Sequence, residues 1–173
     1  MGKSILITGV PGSGKSALCE EFKRLGYRAY DIDSIHALSR VIDKTTGEVS
    51  KNYDSGDLES VKRHKFIRDK DILQEHISKN SEDIVFYCGN ASNIDDLLSL
   101  FDKIFLLEVS EKVLRERLVS RTDNNFGRTP EIQDWILGWK KWWEDNMCKK
   151  GAISISGDLS LREIADNIAK MCE

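Results

Sequence analysis

The sequence predicts an α/β fold: a five-stranded parallel sheet with helices on both faces. Three observations carry this. Five short apolar runs alternate with stretches of helical spacing. A glycine-rich turn lies between the first run and the first helix. No internal repeat, linker or second core interrupts the series, so residues 1–173 are expected to form a single domain.

The elements follow in order. Ser4 to Thr8 (SILIT) reads as a short buried strand ending in Gly9. Residues about 15–25 read as a helix closed by Gly26. Arg28 to Ile32 (RAYDI) is the second strand, and residues about 34–42 read as helical. Asp43 to Asp57 carries Gly47 and Gly56 among polar residues, which marks a loop or small hairpin. Residues about 57–79 read as one long polar helix with apolar steps at Leu58, Val61, Phe66, Leu73 and Ile77. Arg63, His64 and Arg68 then fall on its solvent face. Asp83 to Cys88 (DIVFYC) is the third strand, ending at Gly89, and residues 94–101 form a short helix. Lys103 to Val109 (KIFLLEV) is the fourth strand, and Ser110 is placed to cap a helix running to about Arg121. A polar loop from Thr122 to Pro130 precedes a helix over 131–149. Ala152 to Ser156 (AISIS) is the fifth strand, and a last helix covers about 160–171.

Composition excludes several classes. The chain has 173 residues and a net charge of −3, with 40% apolar and 32% charged residues, so it can bury a real core. Only 2 prolines argue against collagen-like or low-complexity structure. No apolar run reaches the about 18 residues that a membrane span needs. The near-neutral charge gives no support for coating nucleic acid. Cys19, Cys88, Cys148 and Cys172 form no C-x-x-C pair, and reduced thiols are expected. Met1-Gly2-Lys3 opens no signal peptide, and Leu6 stands where myristoylation requires Ser or Thr, so a cytoplasmic address is expected.

Gly9-Val10-Pro11-Gly12-Ser13-Gly14-Lys15-Ser16 matches G-x-x-x-x-G-K-[ST] in full, with a strand before it and a helix after. Glycines let successive backbone N–H groups turn inward towards phosphate oxygens. The helix starting near Lys15 adds its positive end. Lys15 supplies a point charge for the β- and γ-phosphates, and the Ser16 hydroxyl can ligate Mg²⁺, which prefers oxygen. Gly9, Pro11, Gly12, Ser13, Gly14, Lys15, Ser16 and Ala17 are therefore the expected nucleoside triphosphate cradle.

The segment Leu107-Glu108-Val109-Ser110-Glu111-Lys112-Val113-Leu114-Arg115-Glu116-Arg117-Leu118-Val119-Ser120-Arg121, together with the phosphate loop near the N-terminus, resembles the small P-loop kinases: adenylate, shikimate and gluconate kinases and relatives. No Asn-Lys-x-Asp guanine reader of a GTPase is present. The resemblance extends over nearly the whole chain. It implies a three-layer P-loop NTPase fold with strand order 2-3-1-4-5, a short lid over about 121–131 and an acceptor-binding helical region over about 34–80. It implies that Arg117 packs on the base or reaches phosphate, and that Arg121 clamps the transferring phosphoryl group. Guanidinium forks suit the charge spread over the equatorial oxygens in phosphoryl transfer. The alternative is a solvated basic helix face shared with Arg115. Arg128 is a further lid candidate.

Asp31-Ile32-Asp33 at the end of the second strand resembles shikimate kinase, and Asp33-Ser34-Ile35-His36 resembles the Asp-x-Leu-His of gluconate kinases. The resemblance implies that Asp31 helps hold Mg²⁺ and that Asp33 holds the acceptor hydroxyl and takes its proton. The alternative is that Asp33 caps a helix starting near Ser34 and Asp31 is only a strand end. His36 and Arg40, four apart on the expected helix, are placed to contact an acidic group of the substrate. Adenylate-type kinases carry an arginine where His36 stands, and an Asp-Gly-[Phe/Tyr]-Pro-Arg segment where this chain has Cys88-Gly89-Asn90-Ala91-Ser92. Both acceptor-phosphate arginines are missing, which favours a hydroxyl acceptor without phosphate. Gly89 permits close backbone approach of an acceptor, or is only a turn residue, and Asn90 can donate and accept.

Trp135, Trp139, Trp142 and Trp143 lie within nine residues. Ile132, Ile136, Trp139, Trp143 and Met147 fall at helical spacing, so a core stripe is expected rather than a stacking platform for bases. The expectation is an ATP- and Mg²⁺-dependent kinase with Lys15, Asp33, Arg117 and Arg121 as catalytic residues. Ser16 and Asp31 are the expected metal ligands. Asp33, His36, Arg40, Gly89 and Asn90 are the expected substrate-binding residues. Partners are a nucleoside triphosphate and a small-molecule acceptor; no membrane, nucleic-acid or protein partner is expected. The rivals are a divergent nucleoside or nucleotide kinase, an NTP-binding regulatory switch, and an end-phosphorylating nucleic-acid kinase using Lys62-Arg63-His64-Lys65.

Overall fold

The structure, a computed structural model, describes residues 2–81 and 83–173. Strand β1 (Lys3–Thr8) leads into helix α1 (Lys15–Arg24) and strand β2 (Arg28–Asp31). A 3-10 turn (Ile32–Ser34) precedes strand β3 (Ser39–Asp43), helix α2 (Leu58–Arg63), strand β4 (His64–Arg68) and helix α3 (Lys70–Lys79). Strand β5 (Ile84–Cys88), helix α4 (Ile94–Leu97), strand β6 (Lys103–Glu108) and helix α5 (Glu111–Ser120) follow. Helix α6 (Pro130–Lys149), strand β7 (Ile153–Ser156) and helix α7 (Leu161–Cys172) complete the chain.

The main sheet is parallel in the order β2-β5-β1-β6-β7. These are the five strands expected from the sequence, in the order expected: second, third, first, fourth, fifth. Its strands alternate their apolar side chains between two layers. Ile5 and Ile7 of β1 join Leu18 and Phe22 of α1 and Ile164, Ala165 and Ile168 of α7 on one face. Phe22 stacks on Phe86 with ring centroids 3.8 Å apart. Leu6 of β1 and Leu106 of β6 point the other way, to Met147 and Trp143 of α6. Helix α7 is fixed at its start by Ser160, which caps Glu163 N while the Glu163 carboxylate accepts from Ser160 N at 3.1 Å.

The region between β2 and β5 differs from the sequence expectation. The helix expected over 34–42 is absent: Ala37 takes φ 60°, a left-handed conformation that no helix holds, and the chain enters β3 instead. The long helix expected over 57–79 is cut in two by β4. Strands β3 and β4 pair antiparallel, Ser39 opposite Arg68, Val41 opposite Phe66 and Asp43 opposite His64. Apolar residues 61, 66, 73 and 77 satisfy a helical count only if the chain stays helical throughout. Asp69 prevents that by capping a new helix, its Oδ1 accepting from Asp71 N and Ile72 N, each at 3.1 Å. Arg63 stays on an exposed helix end, but His64 and Arg68 are not on a solvated helix face. His64 and Arg68 are buried, and Arg63 pairs with the buried Asp43 at 2.6 Å.

This antiparallel ribbon docks on the main sheet through the segment after β5. Ser92 Oγ accepts from Phe66 N at 2.8 Å, and Ser92 N donates to Phe66 O at 2.7 Å. Asn93 does the same for Arg68, with its Oδ1 on Arg68 N at 3.0 Å and its Nδ2 on Arg68 O at 2.9 Å. Tyr53, Leu58 and Val61 then pack with Val10 of the glycine-rich loop and with α5 and α6. The segment 34–80, expected to be helical, is thus mixed in structure.

Candidate active site

The loop between β1 and α1 needs its glycines for stated reasons. Gly12 and Gly14 hold φ 84° and 100°. A Cβ on Gly9 would lie 2.5 Å from Ser13 Oγ and 2.9 Å from Leu107 O. The loop therefore wraps tightly over the C-terminal ends of β1 and β6. Lys15 Nζ donates to Gly9 O at 2.8 Å, to Val10 O at 2.9 Å and to Ser13 Oγ at 3.3 Å. Burial, with Arg121 adding to it, pushes the Lys15 ammonium down to about 8, and Asp33 and Asp31 oppose the shift. Four charged groups drawn from α1, β2, the turn after β2 and the end of α5 thus act on one another at the loop.

Ser16, one residue into α1, donates from Oγ to Asp31 Oδ2 at 2.8 Å. A hydroxyl and a carboxylate in contact beside a phosphate-binding loop are hard oxygen donors of the kind Mg²⁺ takes together with substrate phosphates. No group of three or more His, Cys, Asp or Glu is gathered for a metal among the described residues.

Asp31 also supplies the local cap: its Oδ1 accepts from Asp33 N at 3.0 Å. The capping role considered for Asp33 belongs to Asp31. Asp33 is left with its carboxylate two-thirds exposed and joined to Arg68 Nη2. His36 is exposed in the turn that follows, and Arg40 lies on β3, where it pairs with Asp69 at 3.2 Å. The shared helical face expected for His36 and Arg40 does not exist, because the helix does not form.

Asn90 spans the gap between β5 and the loop: its Nδ2 donates to Gly9 O at 3.3 Å and its Oδ1 accepts from Ala91 N at 2.7 Å. At Gly89 a Cβ would stand 2.1 Å from Ile32 Cγ1, so packing against Ile32 alone requires glycine there. Pro11 and Ala17 lie at the outer side of the loop and first helical turn, Pro11 partly covered and Ala17 exposed.

Arg117 reaches from α5 to two backbone carbonyls, Ser13 O at 2.9 Å and Gly157 O at 2.8 Å. It joins the phosphate loop to the turn after β7. Arg121 lies one residue beyond α5, with its Nη1 on Phe126 O at 3.3 Å and its Nε on Asp123 at 3.3 Å. The two arginines expected on one helix face thus part at the helix end. Arg128 is exposed, while Arg115 pairs with Glu111 and Asp134.

Two residues with site contacts escaped sequence reasoning. Gln133 is buried and donates from Nε2 to Gly127 O at 2.9 Å, which fastens the loop between α5 and α6. It stands between Ile132 and Asp134 early in α6, where no local pattern marks it as buried. Arg68 had no signal either, because its neighbour Asp33 is 35 residues away. Of the tryptophans, Trp135, Trp139 and Trp143 pack against the cluster around Val10, whereas Trp142 is exposed.

A protein-family model described as an AAA domain matches residues 5–137. The adenylate kinase isoenzyme 6 homolog of Plasmodium falciparum (isolate 3D7) is 28% identical over 132 residues. The match covers 68% of this chain and 65% of that protein, so the chain spans just under two thirds of that relative's length. A gluconokinase from Sinorhizobium meliloti 1021 superposes with a TM-score of 0.55 at 21% identity, covering 98% of this chain and 93% of that one. The deoxyadenosine kinase from M. mycoides with bound dATP gives 0.53 at 17%, covering 97% and 98% of the two chains. The shikimate kinase from Aquifex aeolicus vf5 gives 0.52 at 18%, covering 97% and 94%. The loop, the strand order and the matched length lead to one conclusion: the chain belongs to the AAA domain family, and its fold is that of the small P-loop kinases.

Proposed function

We propose that this chain transfers the γ-phosphoryl group of ATP, with Mg²⁺, to the hydroxyl of a small-molecule acceptor. The observation that carries the reading is the divided use of the two carboxylates after β2. Asp31 is committed to Ser16 of the phosphate loop, while Asp33 stands exposed and close enough to oppose the lowering of the Lys15 pKa. One carboxylate is thereby suited to the metal side and the other to the acceptor side. The kinase names of the relative and of the structural neighbours support the same reaction class.

In this reading the loop N–H groups and Lys15 bind the β- and γ-phosphates, and Lys15 exchanges its contacts with Gly9 O and Val10 O for phosphate oxygens. Ser16 and Asp31 would hold Mg²⁺, which when bound neutralises charge on the β- and γ-oxygens. Asp33 orients the acceptor hydroxyl and takes its proton as the new O–P bond forms and the bond from phosphorus to the ADP oxygen breaks. Arg121 turns from Phe126 O towards the transferring group when the 121–131 segment closes, and closure excludes water. Arg117 sets the loop against the turn after β7, where the base would lie. The whole chain acts as one catalytic domain working in the cytoplasm, with residues 34–80 as its acceptor side.

A second reading, a nucleoside or nucleotide acceptor, is favoured by the likeness to a deoxyadenosine kinase and an adenylate kinase homolog. The test is an ATP-consumption screen against hydroxyl metabolites, nucleosides and nucleotides. Stimulation by one class identifies the acceptor. If no compound raises turnover above the rate with water, the kinase reading fails and an NTP-driven switch takes its place.

A further inference from the structure

The ribbon of β3 and β4 has two faces of unlike character. Residues directly opposite one another on paired strands share a face. Val41, Asp43, His64, Phe66 and Arg68 lie on the inner face, where the Phe66 ring meets Tyr53 edge-on at 5.2 Å. The outer face carries Arg40, Ile42, Lys65 and Ile67. The chain that returns after β3 extends it. Val49 bridges to Ile42, and Ser50 turns inward to His64 at 2.8 Å, so Val49 and Lys51 fall on the outer side. Ile42, Val49 and Ile67 pack against none of the buried apolar clusters, and Val49 is 59% exposed. The nearby acids are already engaged: Asp69 by Arg40, Glu59 by Lys62 and Asp43 by Arg63. Lys51 and Lys65 are exposed and have no ion-pair partner among the described residues. Three aliphatic side chains thus stand uncovered beside cations, on a face to which the strands contribute no carboxylate.

We propose that this outer face is a docking surface for an acidic segment of a partner protein, whose aliphatic side chains cover Ile42, Val49 and Ile67 and whose carboxylates meet Lys51 and Lys65. Such a partner goes beyond those expected from the sequence, and the proposal does not depend on the kinase reading. An apolar centre with charge at its rim is the anatomy of a protein interface. The charge contrast selects the partner: the whole chain carries −3, so an acidic segment is repelled by the molecule at large and drawn to this basic face. A polynucleotide would meet the lysines but has little to set against the aliphatic centre, and the face presents no aromatic ring on which a base could stack. The basic run Lys62-Arg63-His64-Lys65 does not act as one cluster. Lys62 and Arg63 are paired, His64 is buried, and Lys65 alone of the four lies on this face.

Fluorescence anisotropy of a short labelled peptide of alternating Glu and Leu tests the surface, beside its Glu/Ser and Lys/Leu counterparts and an oligo-dT strand. The Glu/Leu peptide should bind the wild-type protein about tenfold more tightly than each of the other probes, and added salt should weaken it. Lys65→Glu should weaken that binding by about tenfold, the scale of reversing one rim charge, and Val49→Ser by about threefold or more. Lys112→Glu makes the same change of charge on the exposed side of α5, away from the ribbon, and should leave binding within about twofold. Each variant is first checked for a cooperative melt. ATP-dependent thermal stabilisation, a property of the phosphate loop, should be the same in all of them, which keeps this surface separate from the kinase reading. The proposal is overturned if the wild type does not bind the Glu/Leu peptide, if any of the other three probes binds as tightly, or if Lys112→Glu loses as much as Lys65→Glu. Self-association of the wild type in light scattering that Lys65→Glu abolishes also overturns it, because the face then belongs to a second copy of the chain. Should Lys65→Glu fail to fold, Val49→Ser decides: peptide binding unchanged from the wild type overturns the docking surface.

Discussion

The phosphate-loop side and the proposed acceptor side of this molecule are built in different ways. The nucleotide side is made of consecutive residues: Gly9 to Ser16 turn, cap and charge one loop, and Lys15 makes all its hydrogen bonds within six positions of itself. The acceptor side is assembled from segments far apart in the chain. Asp33 meets Arg68, Arg68 is held by Asn93, and Asn90 reaches back to Gly9. Phosphates are alike in every substrate of this kind and can be met by a fixed local device. An acceptor must be told from others, and that needs groups placed independently around it.

Substitutions can break or sharpen this contrast. The largest effect is expected for Lys15→Met, which should lower phosphoryl transfer by about 10³-fold and remove ATP-dependent thermal stabilisation, because the charge facing the developing negative oxygens is lost. Unchanged stabilisation by ATP would break the assignment of the loop. Asp33→Asn should lower transfer by about 10²-fold while changing ATP affinity in a calorimeter by less than about threefold, since Asp33 makes no hydrogen bond to the loop and reaches Lys15 only through its field. A parallel loss of ATP affinity would show that the two sides are not separable.

The pH dependence of ATP binding is next in size. Free Lys15 is held down to about 8, and a bound polyphosphate favours its charged form, so binding above that pH must take up a proton. Affinity should be flat in this respect below pH 8 and fall by up to about tenfold per pH unit above it. Titration calorimetry in buffers of different ionisation enthalpy would detect the proton, and Lys15→Met should abolish the dependence. Gly89→Ala should have a smaller, structural effect. Its Cβ would collide with Ile32, an overpacking that costs about 1–3 kcal/mol and shifts the melting midpoint by several degrees. The smallest effect is expected for Trp142→Ala, whose side chain is 69% exposed and whose loss should stay within about 0.5 kcal/mol in denaturant titration.

Legibility followed the same division. The five parallel strands, their order and the phosphate loop were readable because each depends on a short apolar run or a contiguous motif. The ends of helices were readable where a cap announces them, as Ser110 does for α5 with its Oγ on Val113 N at 3.4 Å. Between 34 and 80 the turn over 43–57 is as expected, but β3 replaces the helix expected over 34–42 and β4 interrupts the one expected over 57–79, because the apolar spacing there suits a helix and a strand equally. The choice was made by Phe66 and Arg68 finding partners in Ser92 and Asn93, some 25 residues ahead.

The sequence by itself determined the sheet, the cradle for a triphosphate and the presence of two carboxylates at the end of β2. Hydrophobic periodicity and glycine conformation act over a few residues and leave their mark in the order of the letters. Tertiary structure alone decided which carboxylate serves Ser16 and which faces Arg68, and that the cation beside Asp33 comes from a ribbon rather than a helix. Those outcomes depend on hydrogen bonds closed between distant segments. Such bonds form only once burial has removed the competing water, and no local pattern records them.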